Sequence, residues 1–585
     1  MIVPLVVAVT TFIAFSAALQ NGFVAWDDDK NFLANPHYRG LGWSNLRWMW
    51  TTYHLGHYVP LSWMTLGLDY LTWGMNPFGY HLTNIVIHCA NAVLVYLLAL
   101  RLLALSGVTG SRSIGAGFAA LVFAVHPLRV ESVVWITERR DVLSELFYLS
   151  TVLLYLRAVT DPTRFWRWYP LALATFACAL LSKATSVTLP VVLAILNAYP
   201  LKRLNRRARS PLIEILPFAI MAGAAALLSI VALHPPAQLT LPAKIAVSAY
   251  SVVFYLWKTV VPVGLSPIYE MPQTVDPAGA PFVTSYVVVV LLVGAGWLVR
   301  RRQPGVVAAA LAFLVIVFPL LGIVQNGPQI AADRYTYHAA PALALLAGAA
   351  LARVPTRAAS AIAAAIALTL GVMTWNQTRV WRDTRTLWTR VLEEDGNSSV
   401  GHVGMANVLF KENRVDDALA HARRAVAVAP TYAQARNDLG VGLARTGQLA
   451  AAAIEYRQAL ALEPTDDEAR GNLGVLLAAQ GDLDGAIEQY RLALAANPDN
   501  ADAHVNWGNA LVRLSRPDDA IDHYRAALLI RPDHADAEHN WGVALARANR
   551  LAEAIEHFRR ALALDPGHAE AKEYLDRATQ LLRGR

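Results

Sequence analysis

A chain of 585 residues in which 55% are hydrophobic and only 16% charged is too apolar to be one water-soluble domain, and it is long enough for several. The formal net charge of +7 does not mark a nucleic-acid binder, because the densest basic clusters, 202–209 and Arg300 to Arg302, abut apolar runs and act as topology signals. The two cysteines, Cys89 and Cys178, lie inside apolar segments and form neither a metal-site nor a disulfide pattern.

The first apolar run, 1–20, has no basic n-region and no A-x-A cleavage site, so a retained membrane span is expected there. Directly after it, FVAWDDDKNFLANP (23–36) sets Asp27, Asp28 and Asp29 side by side. Adjacent carboxylates repel and raise one another's pKa, so a chain that keeps three at the end of a span is expected to use them. The plainer alternative is an acidic turn capping a helix that begins near Asn31. Trp and Tyr crowd 43–80, as in an interfacial aromatic belt or a surface for a long apolar chain.

Further apolar runs lie at 81–105, 114–126, 141–158, 167–183, 184–201, 211–233, 282–299, 305–324, 336–353 and 357–375, making eleven expected spans. With the arginines between them on the cytoplasmic side, every span alternates and the N-terminus is inside. The run 243–263 breaks this alternation and is expected to be re-entrant or interfacial. The 21–80 loop, the 126–140 loop, the NGPQIAADRY loop (326–335) and everything after residue 375 then share the non-cytoplasmic side. His126, Glu131, Arg139, Arg140 and Asp141 fall between two spans, where charges are costly unless paired or functional. An internal ion network and direct contact with a donor or metal are both open for them. His81, Asn84 and His88 share one helix face and read as a packed polar seam.

After a linker helix at 376–398, the composition turns rich in Ala, Asp, Glu and Arg. Proline recurs at Pro430, Pro464, Pro498, Pro532 and Pro566, and glycine at Gly440, Gly474, Gly508 and Gly542, with a period of 34. That is the tetratricopeptide period, and 399–585 is read as five repeats plus a capping helix stacked into an α-solenoid. Asn472, Asn506 and Asn540 stand two residues before successive glycines. Carboxamides at this spacing suit hydrogen bonding to the backbone of an extended peptide in the solenoid groove; the alternative is ordinary polar repeat surface.

FVAWDDDKNFLANP, YVPLSWMTLGLDYLTWGMNPFGYHLTN, VFAVHPLRVESVVWITERRDVLSELF and AADRYTYHAAPALALL, followed by the repeats, resemble the TMTC family of transmembrane and tetratricopeptide-repeat protein O-mannosyltransferases and their bacterial relatives. The resemblance implies an all-α GT-C transmembrane domain over 1–375, a polyprenyl-phosphate sugar donor, and a Ser/Thr hydroxyl of a protein as acceptor. It also implies a bacterial inner-membrane location with the repeats on the periplasmic side. Residue by residue, it points to Asp27 and Asp28 as catalytic carboxylates. It places His126, Arg139, Arg334 and Tyr335 at the donor phosphate, with Glu131, Asp141 and Asn35 in support. Where many members read Tyr-Arg-Pro-Leu, this chain has YVPL, with Val59 in place of the arginine.

Inverting transfer to a hydroxyl needs a carboxylate to take the proton and cations to stabilise the departing phosphate, and both kinds of residue occur in the expected outer loops. Asp27-x-Asp29 also matches the D-x-D pattern of metal and nucleotide-sugar binding, but no Gly-rich strand-turn-helix accompanies it. A divalent-metal requirement stays open at this level. A membrane-anchored repeat scaffold without catalysis is the alternative from another class.

Overall fold

The computed structural model describes residues 2–204, 211–232, 239–323 and 329–583. The basic cluster at 202–209 lies outside the described residues from 205 onward, as do 326–328 of the NGPQIAADRY loop. The chain divides into two compact units, Met1–Glu394 and Asp395–Arg585.

The first unit is helical and apolar. Ile2–Gln20, Pro77–Leu105, Ile136–Thr160, Pro211–Val231, Ala280–Val299 and Thr356–Trp381 are long and apolar enough to cross a bilayer. Arg112–Ala124 and Pro127–Val134 together would make a seventh such segment, bent by 55° at their break. Other apolar runs become shorter helices: Ala184–Ala198, Pro304–Leu320 and Ala340–Leu351. Length and apolarity alone therefore give six or seven crossings among the described residues, where the sequence pattern suggests eleven. Run 243–263 forms a helix, Leu241–Val260, outside that apolar set.

Local rules place the helix starts. Pro77 occupies the first turn of Pro77–Leu105, where its missing N–H costs nothing, and the preceding Asn76 side chain accepts the Phe78 N–H at 3.1 Å. That helix carries the polar seam inward: Asn84 donates to the Val133 carbonyl at 3.0 Å and Asn91 to the Val142 carbonyl at 2.8 Å. Both His88 ring nitrogens are engaged, with the Ala124 carbonyl at 2.9 Å and the Tyr337 hydroxyl at 2.6 Å. Gly115 and Gly348 let Arg112–Ala124 and Ala340–Leu351 touch backbone to backbone. A Cβ on either would come within 2.4 to 2.5 Å of the other's carbonyl oxygen.

The segment after the last long helix belongs to this unit. Asn21 donates to the Thr378 carbonyl at 3.0 Å, Gly22 N–H to the Arg382 carbonyl at 2.9 Å, and Ala25 N–H to the Thr384 hydroxyl at 2.9 Å. Trp26 stacks on Trp388 at 4.8 Å, and Trp135 on Trp381 at 5.6 Å. The loop that carries the aspartates is thus tied at both edges. A two-stranded antiparallel pair, Tyr269–Glu270 with Gln329–Ala331, leads into the Asp333–Thr336 turn.

The second unit alternates paired helices from Ser399–Lys411 to Leu551–Leu564 and ends in Ala569–Arg583. Within each pair one polar contact joins residues 19 apart: His402 with His421, Arg436 with Glu455, Arg470 with Gln489, His504 with His523, and Glu538 with His557. The periodic glycine is a packing requirement: a Cβ at Gly440, Gly474, Gly508 or Gly542 would meet the ring of Tyr456, Tyr490, Tyr524 or Phe558 at 2.5 to 2.7 Å. Each ring is at most 3% exposed and cannot move aside freely. Gly508→Val should therefore lower the stability of the repeat unit by about 1–3 kcal/mol in urea unfolding. An unchanged midpoint would show that the helix pair can open to admit the methyl groups.

Candidate functional site

Asp27, Asp28 and Asp29 take three different environments. Asp28 is 1% exposed and fully engaged. Thr137 donates to its Oδ1 through both backbone N–H, at 3.2 Å, and hydroxyl, at 2.7 Å, while the Val24 N–H donates to Oδ2 at 3.1 Å. Burial lifts the Asp28 carboxyl to about 7 despite those donors, so it resists ionisation more than an ordinary aspartate. Asp29 opens the short helical turn Asp29–Leu33.

Asp27 is the carboxylate left over. Its backbone takes φ +65, a left-handed conformation that aspartate tolerates better than most side chains. The turn is held by the Asn31 N–H donating to the Asp27 carbonyl at 2.7 Å and by the indole N–H of Trp135 donating to the Trp26 carbonyl at 3.0 Å. Among the described residues no hydrogen bond to the Asp27 carboxylate forms. Instead it lines a cavity of about 220 Å³ with Lys30, Asn31, His57, Thr137 and Arg140. Burial raises the Asp27 carboxyl above its usual range, opposed by the charges of Arg140 and Lys30. The Arg140 charge, with burial, lowers His57 to about 3 and keeps its imidazole neutral.

Behind Arg140 lies a closed ion network. Arg140 forks onto Glu138 at 2.8 and 3.1 Å; Lys183 bridges Glu138 at 2.8 Å and Asp141 at 2.7 Å. Arg334 pairs with Glu131, which also accepts the Arg334 backbone N–H at 2.8 Å, and reaches Glu138 at 3.4 Å. Asp141 further accepts the Ser132 hydroxyl at 3.0 Å. A small cleft lined by Asp141, Lys183, Arg334, Tyr335 and His338 adjoins this network.

The structure therefore brings Asp27, Glu131, Asp141, Arg334 and Tyr335 into one region and places Arg139, His126 and Asn35 elsewhere. Arg139, fully buried, turns to the opposite side, bonding Asp69 at 2.6 Å, the Tyr80 carbonyl at 2.9 Å and the Asn84 side chain. His126 accepts the Leu128 N–H at 3.2 Å and contacts the Thr259 carbonyl at 3.0 Å. Asn35 accepts the His37 N–H at 3.0 Å within its own turn. Arg140 faces the cavity, joined by His57 and backed by Lys183 and Glu138. The sequence signal for Lys183 is a lone lysine between two apolar runs, which is costly there without a partner. Val59 lines the Asp27 cavity and is apolar. Among the described residues no group of three or more His, Cys, Asp or Glu could hold a metal ion.

In the repeat unit, Asn506 and Asn540 are half-buried with no side-chain hydrogen bond among the described residues, while Asn472 donates to Asn437 at 3.0 Å. One period earlier the same place is taken by Asp438, buried, with one oxygen accepting from Gln434 at 2.9 Å and the other without a partner. Burial lifts its carboxyl to about 7.

Family models described as tetratricopeptide repeat match residues 403–467, 505–569 and 455–488, and one described as TPR repeat matches 476–515. Protein O-mannosyl-transferase Tmtc1 of Drosophila melanogaster is 34% identical over 185 residues, 30% of this chain and 20% of that protein. Protein O-mannosyl-transferase TMTC1 of Homo sapiens is 25% identical over 447 residues, 66% of this chain and 49% of that protein. Among solved structures, YrrB, a TPR protein, aligns at 24% identity over 32% of this chain and 96% of its own, with a TM-score of 0.25. These alignments span about half or less of the length of the curated relatives. The human match covers more of this chain than the repeat unit contains, so the similarity extends into the apolar unit. The chain is therefore similar to curated protein O-mannosyl-transferases over part of its apolar unit as well as over its tetratricopeptide repeats.

Proposed function

We propose that the chain is a polytopic glycosyltransferase of the GT-C type. It moves a sugar, mannose, from a polyprenyl-phosphate carrier to a Ser or Thr hydroxyl of a protein on the non-cytoplasmic side. The observation that carries this reading is Asp27: a carboxylate free of hydrogen bonds, held in a left-handed turn, lining a cavity with a guanidinium. The names of the curated relatives support the reaction class.

In the reaction the acceptor oxygen attacks the anomeric carbon, its proton passes to Asp27, and the bond from that carbon to the phosphate oxygen breaks with its electron pair leaving on the phosphate. Arg140 and Lys30 are the cations at the cavity, and they offset the charge developing on the phosphate. With Val59 at the position of the family's arginine, Arg140 takes that duty here. Arg334 acts one ion pair away, fixing Glu138, which fixes Arg140. His57, neutral beside Arg140, offers one donor and one acceptor to sugar hydroxyls. Asp28 is a positioning residue that locks the loop. The repeat unit selects the acceptor, with Asn472, Asn506 and Asn540 bonding its backbone.

Four measurements test this. Asp27→Asn should cut transfer from a lipid-linked donor by about 100- to 10,000-fold while leaving thermal stability nearly unchanged, since no hydrogen bond is lost. Asp28→Asn should lower stability by about 1–3 kcal/mol, because a buried N–H loses its acceptor. Equal activity in wild type and Asp27→Asn would remove the base.

The base works only ionised and its pKa is raised. Wild-type kcat/KM should therefore climb with pH through a limb above the ordinary carboxylate value of about 3.9 and fall on acidification. A flat profile down to that value would contradict the assignment.

Replacing Asn472, Asn506 and Asn540 together by Ala removes bonds worth about 0.5–1.5 kcal/mol each. KM for a full-length acceptor should rise by about 10- to 1,000-fold with kcat nearly unchanged and a short peptide unaffected. Equal effects on both acceptors would make these asparagines ordinary repeat surface.

A further inference from the structure

A second cavity, of about 440 Å³, lies inside the first unit and shares no lining residue with the Asp27 cavity. It exists because facing positions on Pro304–Val317 and Ala340–Leu351 are small: Ala308, Ala309, Ala312, Ala342, Ala349 and Ala350. Leucine, isoleucine and valine from three other helices complete the wall. An apolar void left empty forfeits packing energy, and a hydrocarbon chain recovers it.

The two ends of the cavity differ in exposure and in the cations they present. One is closed by Glu145, fully buried with neither carboxylate oxygen hydrogen-bonded, and by His338 at 3.7 Å from it. The other carries Arg302 and Arg353, both exposed. Arg353 donates to the Ala349 carbonyl of its own helix at 2.8 Å, and neither arginine forms an ion pair among the described residues. An anionic headgroup pairs with the exposed arginines, whereas the Glu145 end is buried, so an amphiphile fits with its headgroup at the arginine end. The arginine end is the side that the distribution of basic residues assigns to the cytoplasm. Basic pockets between membrane helices on that side are suited to anionic lipid headgroups.

We propose that this cavity binds one anionic glycerophospholipid of the surrounding bilayer, with its phosphate on Arg302 and Arg353 and one acyl chain between the alanine-faced helices. The cavity shares His338 with the small cleft beside the ion network but no lining residue with the Asp27 cavity. A polyprenyl-phosphate donor lodged here would have its phosphate at the end away from Glu145, and the proposed transfer chemistry places that phosphate at Arg140.

Native mass spectrometry of the full chain, released from micelles containing phosphatidylglycerol, phosphatidylcholine and polyprenyl phosphate, tests the assignment. The wild type should retain one phosphatidylglycerol about 10- to 30-fold more strongly than phosphatidylcholine, the preference expected of two arginines near a headgroup. R302Q/R353Q, altered only at exposed side chains, should lose the preference and keep a weak, charge-independent lipid. Ala309→Phe, which fills the cavity, should lose bound lipid of every kind while both arginines remain. Retention of phosphatidylglycerol unchanged in either variant, or its one-for-one displacement by polyprenyl phosphate, would overturn the proposal.

Discussion

The geometry around the candidate site rests on one buried carboxylate. Asp28 accepts from Val24 in its own loop and twice from Thr137 in the loop before Arg139–Thr160. A buried acceptor of this kind is costly to leave unsatisfied, so the two loops are held in one register. Everything near the cavity inherits that register. Asp27, one residue back, is forced into the left-handed turn that frees its side chain. Glu138 and Arg140, one and three residues beyond Thr137, are set on the cavity side. Tryptophans 26 and 135 close over the junction, with Trp388 and Trp381 stacked behind them.

A second constraint is charge at membrane depth. Glu138 is fully buried, and Arg140, Lys183 and Arg334 all converge on it. Such a network is stable only when every member is satisfied, since removing one partner leaves an uncompensated buried charge. Its three cations, Arg140, Lys183 and Arg334, are matched by three carboxylates, Glu131, Glu138 and Asp141, so the network is balanced within itself. Arg139 and Arg140 show how finely this depends on helix phase: consecutive residues at a helix start point about 100° apart, so one guanidinium goes to Asp69 and the other to the cavity.

Much of this was legible in the sequence, and what was not has identifiable physical causes. The 34-residue period fixed the repeat unit, because ring-on-glycine packing admits no drift in phase. The triple aspartate was visible as a candidate site, but the division of labour between Asp27 and Asp28 depends on a contact 109 residues away in the chain. Which of Arg139 and Arg140 faces the cavity is set by helix phase, which a one-residue shift reverses. Apolar runs outnumber the helices long enough to span among the described residues, because segments such as Ala340–Leu351 form short helices. Asp438 occupies the same place in the period as the asparagine ladder but differs in residue type, so the ladder read by residue type alone stops short of it.

The central claim is that one free carboxylate, Asp27, takes the acceptor proton in a single direct displacement. The stereochemistry of the product reads that directly. A glycopeptide made by the purified full chain from a lipid-linked donor of known anomeric configuration can be assigned by the one-bond carbon–proton coupling at the anomeric centre. A single displacement with one base inverts that centre, so the product should carry the anomer opposite to the donor's. Retention of the donor's configuration would require a covalent sugar intermediate on a second nucleophile and would contradict the account.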